Sequence, residues 1–363
     1  MKKELVMFMP TLQIGGVEKN FFILANNLSN KLDLTVITTS KIKNKLNKKV
    51  NIICPNFSFI EKLNDRFRFI VCLYYLLKKI ISNPKIVVIS FQGNMYSVFL
   101  CKLFNIKIIL RLNSSPKGWS KNFLKNLIFK FGLKLADGLV VNSLEFKNQI
   151  KKKYNVKSKC IYNPLNSKEI IRLSKEKIKF NFFKKESLNL INVARLDDQK
   201  DHITLIRAID KIKNEIDVKL LIIGIGPNEN IIKNFIKFKN LKKIIKIKKN
   251  IKNPFPYILK SDLFILSSIF EGLPNVLLES LTLNRFIISS NCPTGPSEIL
   301  SYGKGGILFK IGDYKDLGKK IIFYKKNKFQ LRKKLIYAKK NLYRFNFQKN
   351  IDSYYNYLIK FYN

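Results

Sequence analysis

Histidine is almost missing from this chain of 363 residues: His202 stands alone, and tryptophan is also present once. A single histidine excludes a multi-histidine metal centre. Acid is scarce as well, with 24 Asp and Glu against 69 Lys and Arg, for a formal charge of +45. Within the basic set arginine is rare, at nine residues. Five cysteines, at 54, 72, 101, 160 and 292, form no C-x-x-C pair. Several sit in apolar runs, which reads as reduced thiols of a cytosolic protein and not as a disulfide framework or a zinc site. No apolar run reaches the roughly 18 residues of an ordinary membrane span. The best attempt, Phe69 to Leu77, is stopped by Lys78 and Lys79. The apolar stretch after Met1-Lys2-Lys3 is too short for a signal peptide.

Hydrophobic residues make up 46% and charged residues 26%, enough for a sizeable core and too apolar for wholesale disorder. The length suits two domains. A strongly positive surface attracts anionic lipid, nucleic acid or phosphorylated substrates, although abundant Lys, Asn and Ile hint that coding bias supplies part of the charge.

Short β-branched runs alternate with helical patterns. The first half offers strands at Leu5–Met9, Leu34–Thr38, Val50–Cys54, Ile86–Ser90, Lys107–Leu110 and Leu139–Val141, with helices at Val17–Leu28, Leu63–Ile81 and Asn122–Leu135. The pattern restarts after Asn163-Pro164-Leu165-Asn166 and a lysine-rich stretch to Lys185. Strands are then expected at Leu188–Val193, Lys219–Ile223, Ile244–Ile247, Leu263–Leu266 and Phe286–Ser289. Near-continuous apolar strands separated by helices predict an α/β fold of two parallel-sheet domains, 1–165 and 186–340. The remainder, 341–363, is expected as a C-terminal helix returning to the first domain. Ligands of such sheets bind beyond the carboxyl ends of strands, so two facing domains would share a cleft there.

Four segments follow strands. Gly15-Gly16-Val17-Glu18-Lys19 is either a flexible strand–helix turn or a helix start whose amides meet a phosphate. Gly224-Ile225-Gly226-Pro227 opens like a dinucleotide fingerprint, but Glu229 occupies its last position, and a tight turn is expected. Arg195 and Lys200 put two cations between a strand and the helix Ile203–Ile212. They could neutralise a diphosphate, or be solvated against Asp197 and Asp198. His202 is expected to pack at the helix start. Glu271-Gly272-Leu273-Pro274-Asn275-Val276 runs on to Glu279, eight positions beyond Glu271. Both carboxylates can face one side, with the amides of Leu273, Asn275 and Val276 between them; the bland reading is a pair of surface carboxylates.

These residues resemble the retaining glycosyltransferases of family 4, which have the GT-B fold of two Rossmann-like domains facing across a cleft. Glu271…Glu279 is similar to their E-x7-E motif, Gly15-Gly16-Val17-Glu18-Lys19 to G-G-x-E-[RK], and Arg195-Leu196 with Lys200 to R-L-x-x-x-K. Ala136-Asp137, Ser143 and Tyr162-Asn163-Pro164 also match, and Cys292-Pro293-Thr294-Gly295-Pro296-Ser297-Glu298 resembles a loop of members that build surface polysaccharides or lipid-linked oligosaccharides.

The resemblance implies a nucleotide-sugar donor, commonly UDP-linked, and retention of anomeric configuration without a metal or other cofactor. Arg195 and Lys200 would bind the diphosphate, Glu279 the ribose, Glu271 the sugar near its reacting carbon, and Gly15 and Gly16 would approach the phosphates. Many members carry a first-domain histidine on the donor sugar; here Asn113, in Arg111-Leu112-Asn113-Ser114-Ser115-Pro116, is the substitute.

The expected acceptor is a glycan or a polyprenyl-diphosphate-linked sugar at the cytoplasmic membrane face. Phe59–Ser82 would lie on anionic lipid: it joins Phe67, Phe69, Ile70, Leu73, Leu76, Leu77 and Ile80 with Lys62, Arg66, Arg68, Lys78 and Lys79. Two rivals differ in class. A nucleic-acid-binding protein would explain the charge, but no recognition motif supports it. A sugar-nucleotide epimerase of the same fold needs cleft histidines that this chain lacks.

Overall fold

The computed structural model describes residues 3–12, 15–42, 45–55, 60, 64–114, 116, 119 and 122–362. Phe59, Lys62 and Leu63 of the expected second helix, and Ser115, lie outside them. The chain forms two compact units, Met1–Pro164 with Phe347–Asn363, and Leu165–Asn346.

The first unit is built on seven strands: β1 (Glu4–Phe8), β2 (Asp33–Ile37), β3 (Val50–Ile53), β4 (Val87–Ser90), β5 (Lys107–Arg111), β6 (Gly138–Val141) and β7 (Lys159–Cys160). Their order is β3-β2-β1-β4-β5-β6-β7, every pairing parallel. The helices α1 (Gly16–Leu28) and α14 (Phe347–Leu358) pack on one face. Ile351, Tyr354 and Leu358 of α14 lie in that core, so the end of the chain completes the first sheet. The helices α2 (Asp65–Ser82), α3 (Asn94–Leu103), α4 (Phe123–Leu135) and α5 (Leu144–Tyr154) cover the other face.

One expectation for α2 is corrected. Leu76 and Ile80, assigned to a lipid-facing side, are buried against the sheet together with Cys72. A parallel sheet needs cover on both faces, and the apolar side of α2 supplies it. Phe67 and Ile70 of the same set are exposed.

The second unit has six strands: β8 (Leu188–Val193), β9 (Val218–Ile223), β10 (Ile245–Lys248), β11 (Leu263–Leu266), β12 (Phe286–Ser290) and β13 (Ile307–Phe309). Their order is β10-β9-β8-β11-β12-β13, again all parallel. Around it run α6 (Ser167–Ser174), α7 (His202–Ile212), α8 (Glu229–Phe238), α9 (Phe255–Lys260), α10 (Asn275–Thr282), α11 (Pro296–Ile299), α12 (Tyr314–Lys326) and α13 (Lys328–Lys340). The stretch read as a polar connection contains α6, whose Ile170 is buried. It belongs to this unit, and the Leu165 amide donates to the Phe345 carbonyl at 2.9 Å. Short edge strands β7 and β13 escaped the sequence reading because two or three residues carry too little periodicity. The chain reverses its direction of strand addition between β8 and β11, the place where open parallel sheets bind ligands.

Candidate active site

Arg195 and Lys200 follow β8, and Glu271 follows β11, so the two strands flanking the reversal each deliver part of the set. Lys200 Nζ lies 2.5 Å from Glu271 Oε1 in a largely buried ion pair. Ser268 Oγ donates to the same carboxylate oxygen at 2.6 Å. The two loops are tied by backbone: the Ile269 amide donates to the Gln199 carbonyl at 2.8 Å, and Gln199 Nε2 to the Phe270 carbonyl at 2.8 Å. Ser267 Oγ donates to the Lys200 carbonyl at 2.8 Å. The loops that carry Lys200 and Glu271 are thus fastened to each other by Gln199, Ser267 and Ile269, and Ser268 holds the Glu271 carboxylate itself.

Arg195 is placed differently. Its side chain is half exposed, and Nε donates to Asp197 Oδ2 at 2.5 Å. Asp197 Oδ1 also accepts from the Lys200 amide at 3.2 Å, capping the turn Asp198–Lys200, so one carboxylate holds the Arg195 guanidinium and the Lys200 backbone. Beneath the turn His202 is buried, with Nε2 3.1 Å from Asn192 Oδ1 and Nδ1 without a hydrogen-bond partner. Burial, with Lys200 adding to it, pulls its pKa down to about 4. A neutral histidine at the start of α7 is the packing residue the sequence led us to expect.

The Glu271 main chain is clamped from the far side by the 292–298 loop. Thr294 Oγ1 donates to the Glu271 carbonyl, and the Glu271 amide donates to the Pro293 carbonyl at 3.3 Å. Gly295 has φ +75°, and a Cβ there would stand 2.2 Å from the Gly272 carbonyl oxygen. Only glycine permits that approach. Burial also pushes the neighbouring Cys292 thiol up to about 12, with the Glu271 charge acting in the same direction. It is an inert packing group.

Leu273, Asn275, Val276 and Glu279 form the turn and first part of α10, which begins at Asn275 after Pro274. Glu279 is 8% exposed, so it is no surface carboxylate. The Gly224–Pro227 turn packs against the Arg195 loop. The Leu196 amide donates to the Ile225 carbonyl, and the Asn228 amide to the Leu196 carbonyl, both at 2.9 Å. A Cβ on Gly226 would meet the Leu196 carbonyl oxygen at 2.3 Å, which explains the glycine without a dinucleotide.

In the first unit Gly15 precedes α1 in extended conformation and Gly16 opens it. The Gly15 amide donates to the Glu18 carboxylate, whose pKa is raised by burial. Asn113 is engaged within its own unit: its Oδ1 accepts from Arg111, and its Nδ2 donates to the Phe91 carbonyl at 2.9 Å. Arg111 itself is fully buried, donating also to Tyr354 Oη at 2.7 Å, to Asn163 Oδ1 at 2.6 Å and to the Leu112 carbonyl at 3.3 Å. Other motif residues of this unit do structural work as well. Asp137 accepts from Lys102 and from the Ile108 amide, and Ser143 caps α5 through the Phe146 amide.

The structure therefore joins Lys200 to Glu271 directly, sets Arg195 and Leu273 on the same or adjoining loops, and places Asn275, Val276 and Glu279 in α10, which follows the Glu271 loop. Gly15, Gly16 and Asn113 belong to the other unit. Sequence reasoning passed over Ser268, Gln199 and Thr294, which hold Glu271 and its loop. Their signal was position: Gln199 and Thr294 lie within quoted motifs and Ser268 just before one.

Two parallel sheets of Rossmann type, one carrying this loop set at its reversal point, define a GT-B glycosyltransferase architecture. The model of glycosyl transferases group 1 matches residues 174–342, and that of glycosyltransferase family 4 matches residues 14–169. Together these run over nearly the whole chain, and the chain belongs to the family 4 glycosyltransferases.

An uncharacterised glycosyltransferase of Methanocaldococcus jannaschii is 33% identical over 241 residues, which is 59% of each chain. The N-acetylgalactosamine-N,N'-diacetylbacillosaminyl-diphospho-undecaprenol 4-alpha-N-acetylgalactosaminyltransferase of Campylobacter jejuni is 26% identical, across 85% of this chain and 86% of that one. Among solved structures, Anabaena HepE in complex with UDP superposes with a TM-score of 0.78 at 14% identity, covering 99% and 100% of the two chains, a likeness of fold. The protein is thus a glycosyltransferase of GT-B type, related to enzymes of lipid-linked polysaccharide biosynthesis.

Proposed function

We propose that this enzyme transfers a sugar from a UDP-sugar to a polysaccharide or polyprenyl-diphosphate-linked acceptor at the cytoplasmic membrane face, with retention of anomeric configuration. The observation that carries the reading is the Lys200–Glu271 pair beside Arg195 at the reversal point of the second sheet. A diphosphate arriving there would take Lys200 as a point charge and Arg195 as a fork. Glu271, relieved of its cation, would then face the sugar, and Glu279 would accept from ribose hydroxyls. The amides of Leu273, Asn275 and Val276 would add partial positive charge at the start of α10.

In this reading the bond between the anomeric carbon and the diphosphate oxygen breaks, and the electron pair leaves on that oxygen. The acceptor hydroxyl bonds to the same face of the carbon, and its proton passes to the departing phosphate. The two cations stabilise the charge that develops, so activity is expected to be independent of added metal. The UDP reading draws on the Anabaena structure with UDP, and the lipid-linked acceptor on the Campylobacter relative. Gly15 and Gly16 keep phosphate approach as their proposed part. Asn113 is assigned none, because both ends of its amide serve the first unit. Among the described residues no side-chain arrangement favours the nucleic-acid or epimerase readings.

A panel of UDP- and GDP-sugars, with product stereochemistry read by NMR and parallel reactions in EDTA, tests this. Transfer from a UDP-sugar, with retention, in EDTA, is the expected result. Inversion, or activity restored only by magnesium or manganese, would overturn the corresponding part.

A further inference from the structure

The two faces of the first sheet are finished differently. On one, neither α1 nor α14 presents a large apolar side chain to solvent among the described residues. On the other, α2 exposes Phe67, Ile70, Tyr74 and Ile81, and α3 exposes Tyr96, Phe99 and Leu103. The next helix goes further: α4 exposes Phe123, Leu124, Leu127, Ile128 and Phe131, at 46% to 73% each. These five recur at helical spacing along one side, whereas the same helix buries only Gly132 and Leu133. Most of the apolar content of α4 therefore points away from the core it covers.

The exposed rows are continuous. Phe99 stacks on Phe131 with ring centroids 6.2 Å apart, and Phe69 lies 6.5 Å from Tyr96. In the second unit exposed apolar residues are scattered, with no more than three on any helix. Single exposed apolar residues need no explanation, but a joined patch of this extent marks an interaction surface.

Its charge narrows the partner. Neither α3 nor α4 contains an Asp or Glu, and α2 contains only Asp65. Lys78, Lys125, Lys130 and Lys134 stand exposed among the apolar rows. Lys79 and Lys102, by contrast, are held by Glu4 and Asp137. A second copy of this face would bring like charges together in a molecule already at +45. A nucleic acid would satisfy the lysines and leave the aliphatic rows in contact with phosphate and water. Of the three, an anionic lipid surface satisfies both, taking phenylalanine and leucine side chains below the headgroups and lysines at their level.

We infer that the α2–α3–α4 face is a docking surface for an anionic bilayer, with α4 as its main apolar element. The inference rests on the lipid-linked acceptor reading above. It moves the contact from the buried side of α2 to the outer sides of three helices.

The test is cosedimentation with vesicles of phosphatidylcholine alone and with phosphatidylglycerol added, free of any donor or acceptor, so that it is scored apart from transfer. The wild type is expected to bind the anionic vesicles, and to bind less as salt rises and the screening length falls from about 10 Å at 0.1 M to about 3 Å at 1 M. Leu124→Ser with Leu127→Ser and Phe131→Ser should reduce partitioning by about tenfold or more. Lys125→Glu with Lys130→Glu should abolish the preference for anionic vesicles. All five positions are exposed, so unchanged melting and unchanged transfer to a water-soluble acceptor analogue are expected for both variants. Vesicle binding that is absent in the wild type, or equal in wild type and variants, overturns the proposal. So does a wild-type dimer that the apolar substitutions convert to monomer, which would assign the face to a second copy. Binding without transfer from any donor would leave the docking surface standing and fail the proposed reaction.

Discussion

Two cations, the half-buried Lys200 in the second unit and the fully buried Arg111 in the first, are held in opposite ways. Lys200 is paired with a carboxylate, Glu271, that has a hydroxyl donor of its own in Ser268. Arg111 has no acidic partner among the described residues: its guanidinium is surrounded by the Tyr354 phenol, the Asn113 and Asn163 amides and a backbone carbonyl. Neutral dipoles aimed at a delocalised charge make a fixed knot, which ties β5, the end of the first unit's chain at Asn163 and the returning helix α14. A single carboxylate on an ammonium makes an exchangeable pair, because an arriving phosphate can replace it charge for charge. The first arrangement suits structure and the second suits binding.

Substitution should separate the two. Lys200→Ala is expected to lower kcat/KM by about 10²–10³-fold, about 3–4 kcal/mol, with a smaller loss of stability from the Glu271 carboxylate left with Ser268 alone. Arg195→Ala and Glu279→Ala should each weaken donor binding by about 1.5–3 kcal/mol. Equal loss of stability and activity in Lys200→Ala would erase the contrast.

Arg111→Met should do the reverse. It leaves the Tyr354, Asn113 and Asn163 groups buried without their donor, at about 3 kcal/mol in urea unfolding of the first unit. A stable Arg111→Met protein without turnover would instead make Arg111 part of the chemistry.

Acid should strike the second unit through His202. Its folded pKa of about 4 lies below the ordinary 6.5, so the unfolded chain binds the proton more readily. The stabilisation is complete above pH 6.5 and is lost as pH falls toward 4, amounting to about 3 kcal/mol. Denaturation curves at pH 7 and 4.5 should differ accordingly, and His202→Gln should flatten the difference. The smallest expected effect is Tyr354→Phe, about 2 kcal/mol from one bond to the buried guanidinium, read by urea unfolding with transfer activity retained.

Much of this molecule was legible in its residues. The strands Leu188–Val193 and Leu263–Leu266 have the expected bounds, because a buried parallel strand is a mostly apolar run, broken in the first only by Asn189 and Asn192. The start of α10 at Asn275 was visible in the Gly-Leu-Pro that precedes it, since proline ends one conformation and sets the next. Glycine, proline and scarce acid were enough to single out Glu271 and Glu279.

Which strands are neighbours was not legible. Arg195 and Glu271 stand 76 positions apart, and nothing local says that β11 pairs with β8 and not with β10. Strand order decides that Lys200 meets Glu271. Packing decides that Asn113 and Asn163 serve a buried arginine, and that α14 closes the first sheet from the end of the chain. The apolar helices were equally ambiguous: their sequence specifies how much apolar surface they carry, and only the sheet they cover determines which side remains outside. Local periodicity is a property of neighbouring residues along the chain. Adjacency in a parallel sheet depends on long crossover connections, whose outcome is settled by burying both faces at once.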